Sequence, residues 1–428
     1  MNFNLLYENE IENGKLPLNS FIVGDALRVL KKFPNNSIDL VVTSPPYYAK
    51  RDYEHPDQIG LESTFEEYIE KLIQVFKEIY RILKPTGSVY LNIDDTYWGG
   101  GHFTGTRKNC CSTVKWSGKY KKKCMCLIPF RLLIGLVDEV GFVCRNVIIW
   151  HKISAMPESV KNRFSHRYEF IFFLVKDEDE YYFNLDLVRE PYKDSSLRRI
   201  RSYIEKLIRE GKTIDDINKY RQVKLDELNK LFSEAGYVTG RSIKKILELA
   251  LTWHRAHRVN AELSQIALGK RQQLSITAKE AYIEHKDRLE SYIKVNETVA
   301  KDEVKDLTNI AIDLLKLLGK NPGDVWEFTA GKTKEAHFSV FPIELPLRCI
   351  LASCPPNGIV LDPFSGIGTV AQVCVMLNLK KFDILQKKCS FQINELVKKI
   401  DWNLKFIMID IKKEYHEIAI RKINEIIH

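Results

Sequence analysis

The chain has 428 residues, a formal net charge of +9, 45% hydrophobic and 28% charged side chains. That is enough apolar material for a large core in two or three domains, and the basic balance suits a polyanionic partner, although many soluble proteins are equally basic. No stretch is long and apolar enough to span a membrane, and the N-terminus lacks a signal peptide's cationic start and apolar core. The nine cysteines are irregularly spaced, which argues against a disulfide framework, so the expected location is the cytoplasm.

Residues 20–99 alternate strand and helix. The pattern predicts a strand at Ser20–Val23, a short helix at Ala26–Lys32 and a strand at Ile38–Thr43. Ser44-Pro45-Pro46-Tyr47 follows. Proline fixes φ and removes an N–H donor, so a strand leaving through two prolines makes a stiff corner with outward carbonyls. That corner offers a hydroxyl, carbonyl acceptors and a flat ring, which suit a planar base with an exocyclic amine. The plainer reading is an ordinary exit from strand to loop. A helix is predicted from Thr64 to Leu83, opened by a Ser63-Thr64 cap ahead of Glu66 and Glu67 and stopped by Lys84-Pro85-Thr86-Gly87. The next strand, Ser88–Ile93, runs into Asp94 and Asp95. This β-α-β rhythm predicts a parallel sheet covered by helices on both faces.

Residues 99–126 break the rhythm. Arg107, Lys108, Lys115, Lys119, Lys121, Lys122 and Lys123 are interleaved with Trp116 and Tyr120, which suits a loop lying along phosphates; a solvated loop is the plainer alternative. His102, Cys110, Cys111, Cys124 and Cys126 invite a zinc reading, but the spacing is wrong for paired Cys-x-x-Cys knuckles, and no metal is expected. Residues 195–320 are charge-rich, almost free of proline and strongly helical by pattern. Arg241, Lys244, Lys245, Arg255 and Arg258 are the best groove-facing candidates there, without a recognisable helix-turn-helix signature. A helical spacer or dimerisation insert fits the same pattern.

The second chemical motif is Gly358-Ile359-Val360-Leu361-Asp362-Pro363-Phe364-Ser365-Gly366-Ile367-Gly368-Thr369. It predicts a strand ending in Asp362, a glycine-rich turn and a helix from Thr369 to Leu379. Glycines there allow close backbone approach, and the helix N-terminus attracts a carboxylate. The Gly-Lys-Ser/Thr phosphate loop is missing, so a nucleoside carrying an amino acid fits better than a nucleoside triphosphate.

Together these motifs resemble the prokaryotic amino-group DNA methyltransferases that use S-adenosylmethionine, in the permuted beta subgroup with the catalytic corner first and the cofactor loop late. The likeness runs over roughly residues 20–190 and 321–420. It implies an α/β Rossmann-like methyltransferase fold: a mostly parallel seven-stranded sheet with one reversed strand, plus a helical insert lobe. Residues 1–194 are expected to form the catalytic half, 195–320 a target-recognition or spacer insert, and 321–428 the cofactor-binding half. In this family Ser-Pro-Pro-Tyr is more typical of cytosine-N4 methylation, and Asp-Pro-Pro-Tyr of adenine-N6 methylation.

The resemblance assigns Ser44, Pro45, Pro46 and Tyr47 to catalysis. It assigns Asp362, Pro363, Phe364, Gly366, Gly368 and Thr369 to the cofactor, with Asp25 and Asp95 from acidic turns. Phe338 and Pro342 come from the segment that touches the methionine part in the family. The ribose acid normally ends the strand after the cofactor helix. Here residues 381–405 look like an insertion, and Asp410 is preferred over Asp383. Implied partners are double-stranded DNA, along Arg107, Lys115, Lys119, Lys121, Lys122 and Lys123, and a cognate restriction endonuclease. Oligomeric state is left open.

The amine's chemistry is consistent with this. An aryl amine's lone pair is delocalised, so acceptors must draw its N–H bonds toward tetrahedral geometry, and Ser44 Oγ and the Pro45 carbonyl are the candidates. Tyr47 is expected to stack on a base flipped from the duplex. Carbon-5 methylation would need a thiolate, usually in Pro-Cys, a dipeptide absent from this chain. Adenine-N6 methylation on the same scaffold and a catalytically silent nucleic-acid-binding protein are the alternatives.

Overall fold

The structure, a computed structural model, describes residues 3–98, 120–155, 158–209, 320–330 and 342–428. The chain divides into two compact units, Met1–Asn184 with Gly323–His428, and Leu185–Pro322.

The first unit is built on one sheet that both ends of the chain supply. Its nine strands among the described residues are β1 (Asn4–Tyr7), β2 (Ser20–Val23), β3 (Ile38–Thr43), β4 (Leu83–Ile93), β5 (Val143–Lys152), β6 (Tyr168–Val175), β7 (Val325–Phe328), β8 (Ile359–Asp362) and β9 (Lys405–Asp410). They lie in the order β1-β2-β9-β8-β3-β4-β6-β5-β7. Every pairing is parallel except those of β6 with β4 and β5, so β6 alone runs backwards. The expected seven strands are thus nine. The edge strands β1 and β7 are no shorter than β2 and β8, but each is paired on one side only and only partly buried, so neither reads as a continuous apolar run.

Helix α1 (Ala26–Lys31) is capped by Asp25, whose side chain accepts from the Arg28 N–H. Helix α2 (Phe65–Ile82) is capped by Thr64 and buries Phe65, Tyr68, Leu72, Phe76 and Ile79 along one stripe against the sheet. The turn expected at Lys84–Gly87 is present as a bulge within β4: Leu83 and Ser88 pair with Ile38 and Leu40, residues 84–87 stand out of that ladder, and a Cβ on Gly87 would lie 2.7 Å from the Leu83 side chain. The chain passes directly from α2 into β4, with Leu83 paired to Ile38 and a register irregularity before Leu40. Lys84 reaches both carboxylate oxygens of Asp39 at 2.9 Å, and Asp39 also accepts from the Ile359 N–H at 2.9 Å, tying β4, β3 and β8 at one end of the sheet.

Helix α3 (Ile128–Gly135) runs into a wider turn, Leu136–Val140, closed at Gly141. In the second unit α4 spans Asp194–Arg209, and Glu190 and Lys320 join the ends of the insert by two backbone hydrogen bonds. The other helices expected within 195–320 lie outside the described residues. Toward the C-terminus come α5 (Glu344–Ser353) and α6 (Thr369–Asn378). The insertion read at 381–405 is packed: α7 (Phe382–Lys388) and α8 (Glu395–Lys399) bury Leu385, Leu396 and Val397. Ser390 donates through its N–H and Oγ to the buried Glu344 of α5, and Phe391 lies under the Arg348 guanidinium. Helix α9 (Lys413–Ile427) lays buried His416 against β2, where Nε2 meets the Ile22 carbonyl at 3.0 Å. Among the described residues, no helix is long and apolar enough to cross a membrane.

Candidate active site

The strand order places five polar strand ends, four of them carrying an aspartate, at one edge of the sheet. Parallel strands β2, β9, β8, β3 and β4 present their C-terminal ends there, carrying Asp25, Asp410, Asp362, Ser44 and Asp94 just at or beyond them. Reversed β6 brings its first residues to the same edge, because Ile93 pairs with Phe170. In open α/β sheets ligands sit outside the carboxyl ends of the strands.

The glycine-rich turn joins β8 to α6. Asp362 is fully buried; its Oδ1 accepts from Thr43 Oγ1 at 2.7 Å and from the Phe364 N–H at 3.1 Å. Burial pushes its carboxyl up to about 7 against those two hydrogen bonds. Asp362 Oδ2 and Ser365 Oγ are buried without a hydrogen-bond partner among the described residues. Gly366 has φ +47, and a Cβ there would meet open space. Gly368 has φ +70, and a Cβ there would lie 2.7 Å from the Ala419 Cβ of α9. Asp410 closes the turn from β9. Its Oδ2 accepts from the Gly366 N–H at 2.9 Å and its Oδ1 from the Lys412 N–H at 2.9 Å, and burial raises it to about 6.

Asp25 lies beside this turn, since Val23 pairs with Asp410 and the Gly24 N–H donates to the Asp410 carbonyl at 3.0 Å. Asp383 is exposed in the first turn of α7. Pro363 and Thr369 are buried, and Phe364 is half-buried. Pro342 accepts from the Leu345 N–H at the start of α5; Phe338 lies outside the described residues.

Asp95 has a different setting from the other acids. Its two carboxylate oxygens accept from the backbone N–H groups of Thr96, Leu127 and Ile128 at 2.8–3.1 Å, so it caps α3. Its neighbour Asp94 faces Lys50 at 2.7 Å and His166 at 3.4 Å. Burial opposes ionisation of Asp94, but Lys50 and His166 hold it below the usual carboxylate range.

At the corner after β3, Tyr68 OH donates to the Pro46 carbonyl at 2.8 Å and the Lys50 N–H donates to the Tyr47 carbonyl at 3.3 Å. The Pro45 carbonyl accepts nothing from the described residues. Pro45 is buried and Pro46 half-buried. Tyr47 is held at its phenol end: its OH donates to Glu169 Oε2 at 2.7 Å and receives Ser44 Oγ at 3.2 Å. Burial, then the carboxylates of Glu169 and Asp94, push the phenol well above its ordinary range, so it is a neutral donor. Glu169 also accepts from Asn92 Nδ2 at 2.9 Å and pairs with Lys152 of β5. The family resemblance covers the segments that hold them, 89–97, 146–152 and 166–171, the last as the strand behind the target base, but gives Asn92, Lys152 and Glu169 no role of their own. Their signal was a polar residue inside an apolar strand: Asn92 in Val-Tyr-Leu-Asn-Ile, and Glu169 at the head of Phe-Ile-Phe-Phe-Leu-Val.

Of the basic segment, Lys121, Lys122 and Lys123 are described and exposed; Arg107, Lys115, Lys119 and Trp116 lie outside the described residues. Tyr120 turns inward, packing on Phe65 and Trp98, with its OH 3.3 Å from Glu66.

The chain matches the DNA methylase family over residues 38–234 and 243–421. It is 33% identical to the type II methyltransferase M.SfiI of Streptomyces fimbriatus over 82% of this chain and 84% of that protein. It is 40% identical to M.XycI of Xanthomonas campestris pv. cyanopsidis over 42% of this chain and 61% of that one. Superposition on the PvuII DNA methyltransferase (cytosine-N4-specific) covers 95% of this chain and 90% of that one, with 15% identity and a TM-score of 0.45. This chain belongs to the N6/N4 DNA methylase family, the S-adenosylmethionine-dependent DNA methyltransferases of type II restriction–modification systems.

Proposed function

We propose that the protein methylates the exocyclic N4 of cytosine in a short duplex DNA site. The observation that carries this reading is Ser44. A neutral hydroxyl, and not the aspartate more typical of adenine methylation, stands at the end of β3 beside a Pro45 carbonyl that accepts nothing from the described residues. Bound S-adenosylmethionine supplies the methyl group as an electrophile on sulfonium sulfur. Asp362, Phe364, Gly366 and Gly368 would hold its methionine and sugar, and Asp410 would accept from the ribose hydroxyls. Two buried polar atoms without partners among the described residues, Asp362 Oδ2 and Ser365 Oγ, and the open space at Gly366 fit such a guest.

The protein's part is positioning and desolvation. Ser44 Oγ and the Pro45 carbonyl accept from the two amine N–H bonds and aim the nitrogen lone pair at the methyl. The Tyr47 ring, fixed at its hydroxyl, stacks on a base flipped from the duplex. Lys121, Lys122 and Lys123 follow the phosphates, and residues 195–320 read the site. We also propose action in the prokaryotic cytoplasm alongside a cognate endonuclease.

The test is mass spectrometry of nucleosides from DNA of a host expressing this chain. N4-methylcytosine is expected. N6-methyladenine without N4-methylcytosine would overturn the cytosine assignment.

A further inference from the structure

A serine hydroxyl has one proton and two lone pairs. To accept from a substrate amine, Ser44 must place its own proton elsewhere. If that proton pointed at the amine nitrogen, it would occupy the lone pair that has to attack. Ser44 Oγ has one hydrogen-bond partner among the described residues, the Tyr47 hydroxyl at 3.2 Å. Tyr47 can receive that proton because its own goes to Glu169 Oε2 at 2.7 Å, much the shorter of its two acceptor contacts, Asn92 Oδ1 lying at 3.4 Å. Glu169 is kept an acceptor in turn by Asn92 Nδ2 at 2.9 Å and by the Lys152 ammonium.

We propose that Glu169, from the reversed strand β6, is the positioning residue that makes Ser44 an acceptor, acting through the Tyr47 hydroxyl. The hydrogen-bond chain runs one way, from Ser44 to Tyr47 to Glu169. The inference rests on the reading of this site as an amino-methylating one, and it holds for cytosine N4 and adenine N6 alike. Protonating Glu169 reverses the chain: Tyr47 would then donate to Ser44, and Ser44 to the amine nitrogen.

The same direction provides a path for the departing proton. As the nitrogen lone pair forms the N–CH3 bond, the C–S bond breaks and its electron pair stays on sulfur. One N–H proton passes to Ser44 Oγ, the Ser44 proton to Tyr47 and the Tyr47 proton to Glu169, which ends as the neutral acid. The ionisable groups paired with Glu169 are Tyr47 from the corner and Lys152 from β5, and Asp94 at the end of β4 acts on Tyr47 and Lys152. Lys50 and His166 stand behind Asp94. Glu169 stands as the acceptor toward Tyr47, Asn92 and Lys152.

The experiment compares the full-length wild type with Tyr47→Phe, Glu169→Gln and the double variant. Tritiated S-adenosylmethionine and mixed-sequence plasmid DNA are the substrates, and cofactor binding is followed by calorimetry. Tyr47→Phe keeps the ring and its packing and removes only the hydroxyl. It is expected to lower kcat about a hundredfold, the scale of a misdirected reacting group, with KM for both substrates nearly unchanged. Glu169→Gln should lower kcat comparably. The double variant should be no worse than Tyr47→Phe, because the two act in one chain. The acidic limb of the wild-type kcat profile should be absent in Tyr47→Phe. Wild-type kcat and pH profile in Tyr47→Phe, or additive losses in the double variant, would overturn the proposal. If Glu169→Gln fails to fold, Tyr47→Phe decides. A wild type that binds cofactor but transfers no methyl group to DNA would overturn the functional reading, and this inference with it.

Discussion

Thr43 Oγ1 donates a 2.7 Å hydrogen bond to Asp362 Oδ1 across 319 positions of sequence. Thr43 ends β3 and Asp362 ends β8, and both side chains are fully buried. The strand that delivers the catalytic corner and the strand that delivers the glycine-rich turn are thereby locked at their tips. Thr43→Val keeps the shape and removes the donor. It should destabilise the protein by about 1–2 kcal/mol, the value of one buried hydrogen bond to a carboxyl oxygen that keeps only the Phe364 N–H, whereas Thr43→Ser should recover most of that. Urea midpoints of the two variants check this.

Proton linkage at the same tips has a definite sign. Burial raises Asp362 to about 7 and Asp410 to about 6, against about 3.9 in an unfolded chain. Between those values the native state holds protons that the unfolded chain has released. The stability these neutral acids contribute is complete below about pH 4 and is lost as pH rises to about 7. Without cofactor, the urea midpoint of Asp362→Asn should therefore fall less between pH 5 and pH 8 than that of the wild type. The difference should be about 1–3 kcal/mol, and parallel curves would contradict it.

The two glycines of the turn should fail differently. Gly368→Ala forces an L-residue to φ +70 and puts its Cβ 2.7 Å from that of Ala419. About 2–4 kcal/mol of stability should be lost. Gly366→Ala meets no neighbour at φ +47, so about 1–2 kcal/mol of backbone strain is expected. Its larger effect should be on cofactor binding. Thermal melts with and without S-adenosylmethionine separate the two.

Asp410→Ala should weaken S-adenosylmethionine binding by about 1–3 kcal/mol, the value of hydrogen bonds to a charged group. Asp383→Ala, at an exposed helix position, should leave it unchanged. Calorimetry on both variants checks the assignment, and the reverse result would move the ribose acid into the 381–405 insertion.

Local rules made much of this protein legible in its sequence. Periodicity and caps marked β2, α1, β3, α2, β8, α6 and β9 close to their observed ends, because a helix or strand buries one face at a fixed repeat. Proline and glycine chemistry marked the corner at 44–47 and the turn at 362–368 as unusual backbone. Tertiary structure decided what those rules do not reach. Strands β1 and β7 are four residues each and are held by their neighbours. The strand after α2 begins at Leu83, before the turn residues 84–87, because Leu83 finds a partner in Ile38, and 84–87 then bulge out of the ladder. Asp94 and Asp95 are adjacent and chemically identical in sequence. Folding sends one to Lys50 and His166 and spends the other on capping α3. Glu169 reaches Tyr47 across 122 positions only because β6 runs against its neighbours and starts where they end. A polar side chain within an apolar strand announces that it has a partner; strand direction and order determine which one.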